Sequence, residues 1–199
     1  MNNTNVIRII IAAAVLGGIG LIATKYIDFG IPTNNTAVLN YQRSLSPTPQ
    51  AIAVKVGDTA PDFTLTTLDK TTFRLSNNKG KIIILFGMAG WCSTCIPEGR
   101  NLTKIKQEYT NKGVEIIGVA FTKGDNDDFL KEYKKVGGID IPVALDTDNV
   151  AQKYNLTRLE TTYIISKDGK VVYKDEVTTS YEDYKRELDK IIWKVKKNI

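Results

Sequence analysis

Histidine is absent from the 199-residue sequence, and cysteine occurs only twice. Without histidine the chain cannot carry a Ser-His-Asp or Cys-His nucleophilic site, a Cys-x-x-Cys-His haem attachment or a histidine-ligated metal centre. Two cysteines also exclude a structural framework of several disulfides. Charge of one sign is not in strong excess, because 27 basic residues stand against 22 acidic ones. We therefore expect no nucleic-acid partner.

The two cysteines lie close together, and the rest of the chain is organised around them. Cys92 and Cys95 belong to the segment Gly-Trp-Cys-Ser-Thr-Cys, which follows the apolar run 82–86. That run predicts a buried strand, and the apolar spacing in 96–110 predicts a helix. At such a junction the first sulfur lies near the helix N-terminus, where free N–H groups and the helix dipole favour a thiolate. This predicts Cys92 as the nucleophile of disulfide exchange and Cys95 as the thiol that resolves the mixed disulfide.

Each residue around the pair has more than one interpretation. The cysteines could be core residues or metal ligands, but two thiolates supply only half of a tetrahedral zinc shell, so we expect no metal and no cofactor. Trp91 is expected to shield the sulfurs and offer a docking surface, or else to be core. The hydroxyls of Ser93 and Thr94 could hydrogen-bond a thiolate or cap the helix. Glu98 is expected as a solvated side chain on the helix face, with a proton relay to Cys95 as the alternative.

The N-terminal region predicts a membrane anchor. An uncharged apolar run at 9–23 is flanked by Arg8 and Lys25, and residues 6–27 reach spanning length if those two side chains snorkel. A cleaved signal peptide or a buried core helix are the alternatives. The positive charge before the run favours a single pass through the cytoplasmic membrane, with the N-terminus inside and the remainder outside. Signal cleavage would instead give a secreted protein.

The chain beyond this segment predicts a tether and one folded domain. With residues 1–27 as the anchor or signal, residues 28–54 are rich in Asn, Thr, Ser and Pro and predict a flexible tether. In the domain, 55–199, strand and helix patterns alternate, which predicts an α/β fold with helices on both faces of a central sheet. A final hairpin makes that sheet mixed. The predicted strands are 62–65, 71–75, 82–86, 114–121, 141–145, 161–165 and 170–177; the predicted helices are 96–110, one capped by acidic residues at 125–128, 149–154 and 181–197.

Two motifs carry a resemblance to a known family. The pattern Trp-Cys-x-x-Cys-x-x-Glu at 91–98 and the leader Gly-Asp-Thr-Ala-Pro-Asp-Phe-Thr-Leu at 57–65 resemble those of TlpA/ResA-like membrane-anchored thiol–disulfide oxidoreductases. These are relatives of the AhpC/TSA peroxiredoxins in the thioredoxin-fold superfamily. The resemblance covers about residues 55–195 and implies a thioredoxin-like fold with a redox-active disulfide. It also implies a reductant of exported disulfide-containing proteins that is recharged by a membrane electron donor.

Two other functions stand as alternatives. One is a non-catalytic thioredoxin-like binding module, in which the loop at Glu160 holds a partner or a metal without turnover. The other is a thiol peroxidase, whose cysteine sits in a Pro-x-x-x-Ser/Thr-x-x-Cys pattern. The corresponding positions hold Leu85 and Ala89 before Cys92, and Met88 and Cys92 before Cys95, so neither cysteine fits. Peroxidase activity is therefore disfavoured.

The sequence departs from the family pattern at three positions. Glu160 stands where the family has a cis-proline, and because a non-proline cis bond costs about 2.5–4 kcal/mol, we expect a trans peptide there. The resemblance places Glu160 opposite the cysteines, where its charge would disfavour a thiolate. Phe86 replaces a buried acid or amide, and Arg100 replaces a proline in the helix. Proton handling at the second cysteine is then left to water, Glu98 or Glu160.

Overall fold

The computed structural model describes residues 54–197, with side chains through residue 193. The predicted membrane anchor at 1–27, and all but the last residue of the predicted tether at 28–54, lie outside the described residues. Both stay predictions. In the described range, no helix combines the length and apolar character needed to cross a membrane.

The predicted order of strands and helices is confirmed, with ends that differ by a few residues. The strands are β1 (Thr64–Thr66), β2 (Thr72–Arg74), β3 (Ile82–Met88), β4 (Val114–Ala120), β5 (Val143–Leu145), β6 (Thr161–Ile165) and β7 (Val171–Asp175). The helices are α1 (Cys95–Tyr109), α2 (Asp127–Gly137), α3 (Val150–Tyr154) and α4 (Tyr181–Lys197), and short 3-10 turns occupy Leu75–Asn78 and Thr110–Lys112.

Five strands form the central sheet in the order β5-β4-β3-β6-β7. Strands β3, β4 and β5 are parallel, whereas β6 pairs antiparallel with both β3 and β7. The predicted mixed sheet is therefore confirmed. All seven residues of β3 are buried, as expected for a continuous apolar run at the centre of a sheet covered on both faces. Strands β1 and β2 form a separate antiparallel pair.

Two hydrophobic clusters cover the two faces of the sheet. On one face, α1, α2 and α4 contribute Leu102, Leu130 and Leu188 to a cluster that also contains both cysteines. On the other face, α3 and the segment around β1 contribute Tyr154 and Phe63. Helices on both faces are thus confirmed. The active-site segment lies between the end of β3 and the first turn of α1, where the chain leaves the buried sheet for the surface.

Candidate active site

Cys92 and Cys95 form a disulfide at the start of α1. The side chain of Cys92 lies in the loop after β3 and keeps 5% of its surface exposed, whereas Cys95, the first residue of α1, is fully buried. A disulfide partner must approach one sulfur from solvent, and of the two cysteines only Cys92 reaches the surface.

Two groups approach the sulfur of Cys92. The backbone N–H of Cys95 donates to Cys92 Sγ at 3.2 Å, and Thr94 Oγ1 lies 3.2 Å from the same sulfur. Thr94 directly precedes α1 yet makes no capping hydrogen bond, so of its two interpretations the structure favours contact with the sulfur. Ser93 is exposed. After reduction, both groups could donate to a Cys92 thiolate and stabilise it.

Trp91 lies at the surface beside the disulfide, with 56% of its area exposed. Its indole Nε1–H donates to Thr122 Oγ1 at 2.9 Å, and this bond fixes the ring on the loop after β4. The alternative that Trp91 is a core residue is wrong. Together with the exposed Phe129 and Val136, the ring lines an open apolar cleft that reaches Cys92.

Asp125 fixes the active-site loop, a role that the sequence did not indicate. Its carboxylate accepts hydrogen bonds from the N–H of Gly90 at 2.8 Å and from the N–H and hydroxyl of Thr122 at 3.0 and 2.6 Å. The sequence had grouped Asp125 with the caps of α2, but the residue that caps this helix is Asn126. The loop is also held tightly, because a Cβ at Gly90 would lie 2.8 Å from the backbone of Phe129.

Glu98 is buried, and the expectation of a solvated helix-face side chain is wrong. None of its surface is exposed, and its Oε1 accepts hydrogen bonds from the hydroxyls of Tyr184 at 2.5 Å and Thr162 at 2.8 Å. Its Oε2 is buried. Burial raises the pKa of Glu98 to about 7, and the charge of Glu160 adds to this rise. Hydrogen bonds from the hydroxyls of Tyr184 and Thr162 and from the backbone of Thr179 oppose the rise. A carboxyl of this kind can be neutral at physiological pH.

Glu160 lies beside the disulfide, as the resemblance implied. No peptide bond in the described part of the chain is cis, which agrees with the expected trans peptide. The backbone of Glu160 has a left-handed φ of 65°, and its N–H donates to Gly87 O at 2.9 Å. Its Oε2 accepts from the hydroxyl of Thr178 at 2.9 Å. A carboxylate oxygen and the sulfurs of Cys92 and Cys95 all lie within 4.8 Å of one another.

The two other departures from the family pattern have structural roles. Phe86 is fully buried in the cluster that contains the cysteines, so no acid or amide occupies that place. Arg100 Nε donates to Gly137 O at 2.8 Å and thereby links α1 to the end of α2. Of the groups to which proton handling was left, the structure places the carboxylate of Glu160 beside the disulfide, and its charge interacts with the buried carboxyl of Glu98.

Comparison with known proteins agrees with this geometry. The redoxin family model matches residues 55–192. The thiol–disulfide oxidoreductase ResA of Geobacillus kaustophilus is 35% identical over 140 residues, which cover 70% of this chain and 79% of that protein. The chain is a ResA-like member of the redoxin family. ResA of Geobacillus thermodenitrificans is 32% identical over 156 residues, covering 78% of this redoxin and 88% of that protein.

The solved structures give the fold. The crystal structure of a thiol:disulfide interchange protein of the thioredoxin family from Chlorobium tepidum superposes with a TM-score of 0.62 at 24% identity, over 70% of this redoxin and 98% of that chain. The thioredoxin-like fold is therefore confirmed. With the ResA relatives and the Cys92–Cys95 pair, this redoxin is a thiol–disulfide oxidoreductase.

Proposed function

We propose that this ResA-like redoxin reduces disulfides of exported proteins while tethered outside the cytoplasmic membrane. The observation that carries the proposal is the asymmetry of the pair: Cys92 reaches the surface with two groups near its sulfur, and Cys95 is fully buried behind it. The Cys92 thiolate attacks a partner disulfide, and one partner thiolate leaves. Cys95 then attacks Cys92 Sγ, which re-forms the internal disulfide and releases the second partner thiol. The two electrons pass to the partner, and a membrane electron donor reduces the pair again.

The charge of Glu160 supports the reducing direction. A dithiol is a strong oxidant when its reduced form is stabilised. A carboxylate within 4.8 Å of both sulfurs acts in the opposite sense, because it repels a thiolate and so destabilises the reduced form. The Cys92–Cys95 disulfide is then favoured, and the dithiol gives up its electrons more readily.

Glu98 is proposed to handle the proton of Cys95. It lies one helical turn beyond Cys95 on α1, and its pKa of about 7 allows it both to hold and to release a proton near neutral pH. Cys95 must lose its proton to attack the mixed disulfide. Its fully buried sulfur has little access to water, so a nearby buried carboxylate is a suitable acceptor.

Reduction of insulin disulfides by the full chain, purified in detergent, tests the exchange. The wild type should reduce insulin and Cys92→Ser should not, whereas Cys95→Ser should accumulate covalent mixed disulfides. Equal rates for the wild type and Cys92→Ser would overturn the proposal. Partner binding by Cys95→Ser without any mixed disulfide would instead indicate a non-catalytic binding module.

Cell fractionation with protease treatment tests the tether. The chain should stay in the membrane pellet after an alkaline wash, and protease added to spheroplasts should digest the folded domain. A chain shortened at its N-terminus and found in the medium would indicate signal cleavage. A membrane-bound domain that resists protease until the spheroplasts are lysed would overturn the external location.

A further inference from the structure

The redox pair and Glu160 bring three metal-ligating side chains to one place. The sulfurs of Cys92 and Cys95 and a carboxylate oxygen of Glu160 all lie within 4.8 Å of one another. From this arrangement we infer that the reduced protein binds one Zn²⁺ through these three side chains. Two thiolates alone supply only half of a tetrahedral shell, and Glu160 provides a third ligand.

The spacing suits a tetrahedral zinc site. With Zn–S of about 2.3 Å and Zn–O of about 2.0–2.2 Å, neighbouring ligand atoms lie about 3.4–3.8 Å apart. The three atoms are already within 4.8 Å, so small side-chain rotations are sufficient. Reduction frees the two sulfurs to separate to the distance that the metal requires. Three protein ligands leave the fourth position for water, as in open zinc sites.

The carboxylate of Glu160 is already oriented for such a role. Its Oε2 accepts the hydrogen bond from the Thr178 hydroxyl at 2.9 Å, while its Oε1 is buried and has no hydrogen-bond partner among the described residues. Ligating carboxylates are typically held in this way, with one hydrogen bond from a residue outside the site. The free Oε1 is the oxygen that would bind the metal.

The backbone at Glu160 supports a functional role. A non-glycine residue with φ near 65° is strained, and such strain is concentrated at functional sites. Here the N–H bond to Gly87 O holds the conformation beside the cysteines. A glycine would relieve the strain but would remove the carboxylate.

The ligand set and the local charge select the metal. Thiolates with one carboxylate suit the borderline-soft Zn²⁺, whereas Mg²⁺ and Ca²⁺ require oxygen ligands. Two thiolates beside the carboxylate of Glu160 would concentrate negative charge, which a divalent cation offsets. Binding displaces one proton from each thiol to the solvent, and Zn²⁺ neither gives nor takes electrons. Because the disulfide offers no thiolate, zinc binding and disulfide exchange exclude each other.

Cobalt titration of the full chain tests the site, with Co²⁺ as a spectroscopic substitute for Zn²⁺. Reduced, metal-free protein should bind one Co²⁺ per chain, with a thiolate-to-cobalt charge-transfer band that Zn²⁺ abolishes, and the disulfide form should give no band. Glu160→Gln should weaken Zn²⁺ binding by about 10- to 100-fold or more. The matched control is Glu132→Gln, because Glu132 is exposed and lines the same cleft as Cys92 but is not in the ligand cluster. The Zn²⁺ affinity of Glu132→Gln should equal that of the wild type.

Two results would overturn the inference. One is the absence of a charge-transfer band in reduced wild-type protein that titrates with two free thiols. The other is unchanged Zn²⁺ affinity in a Glu160→Gln protein whose circular dichroism matches the wild type. In agreement with the inference, stoichiometric Zn²⁺ should inhibit insulin reduction by the wild type. If the cobalt band is present but metal-free protein reduces no insulin, the zinc site is supported and only the proposed reductase function fails.

Discussion

Replacing the buried Glu98 by glutamine should remove most of the pH dependence of stability between pH 5 and pH 8. Glutamine keeps the size of the side chain and an oxygen that can accept from Tyr184 and Thr162, but it cannot ionise. Since the chain has no histidine, few side chains titrate in this interval. Glu98, with its pKa of about 7, is therefore expected to dominate it.

The magnitude follows from the pKa difference between the folded and unfolded states. The folded state raises the pKa of Glu98 from 4.5 to about 7, so the folded state binds the proton more tightly. The resulting stability is fully present below pH 4.5 and is lost as the pH rises through 7. At 1.36 kcal/mol per pKa unit, the free energy of unfolding of the wild type should fall by about 2–3 kcal/mol from pH 5 to pH 8.

Urea unfolding of the oxidised protein at several pH values measures this loss. Keeping the disulfide intact removes thiol titration from the result. Glu98→Gln should resemble the wild type at pH 5 and exceed it by about 2 kcal/mol at pH 8. Glu132→Gln, which changes an exposed carboxyl on α2, is the control and should keep the wild-type slope. An equally steep pH dependence in Glu98→Gln would refute the argument that the buried carboxyl causes it.

Three further predictions test other contacts of the site. In a Cys95→Ser background, Glu160→Gln should speed alkylation of Cys92 by iodoacetamide at pH 7 about 3- to 10-fold. Removing a charge within 4.8 Å stabilises the thiolate by about 1–3 kcal/mol, and the lower intrinsic nucleophilicity of that thiolate offsets part of the gain in rate. An unchanged alkylation rate would contradict this prediction. Asp125→Ala leaves the loop N–H groups that it binds without their acceptor and should lower the free energy of unfolding by about 2–4 kcal/mol, with Asp125→Asn in between, as measured in urea. Gly99→Ala would place a Cβ in overlap with the Tyr133 hydroxyl and should lower the free energy of unfolding by about 1–3 kcal/mol in the same assay; unaltered stability would show that the neighbouring ring moves freely.

Local sequence signals were sufficient for the fold and for the redox pair. The apolar run of β3 and the helical spacing after it are properties of adjacent residues, and together they place Cys92 and Cys95 at a strand–helix junction. Strand alternation likewise predicted the β1–β2 pair. These features depend on neighbours along the chain and not on tertiary contacts.

The surroundings of the pair depend on contacts that the sequence does not display. Glu98 lies on the buried face of α1 together with Leu102 and Ile105, although a charged residue type favours solvent. Its hydroxyl partners come from β6 and α4, 64 and 86 residues away. The acidic segment before α2 predicts a set of equivalent N-caps, but the carboxylate of one of its residues, Asp125, accepts a hydrogen bond from the active-site loop. The family pattern marked Glu160 as a position of interest, but it could not give the contacts of its side chain.

The replacement of proline by Glu160 changes the chemistry available to the pair. In this site the N–H of Cys95 and the Thr94 hydroxyl favour a thiolate at Cys92, whereas the carboxylate within 4.8 Å opposes it. The reduced pair can lower this repulsion in two ways: it can pass its electrons to a partner disulfide, or it can bind a cation that the carboxylate helps to ligate. One substitution thus supports both proposals. Glu160→Gln separates them from a purely structural role, because it should speed alkylation and weaken zinc binding together, whereas a loss of packing would not produce that pair of effects.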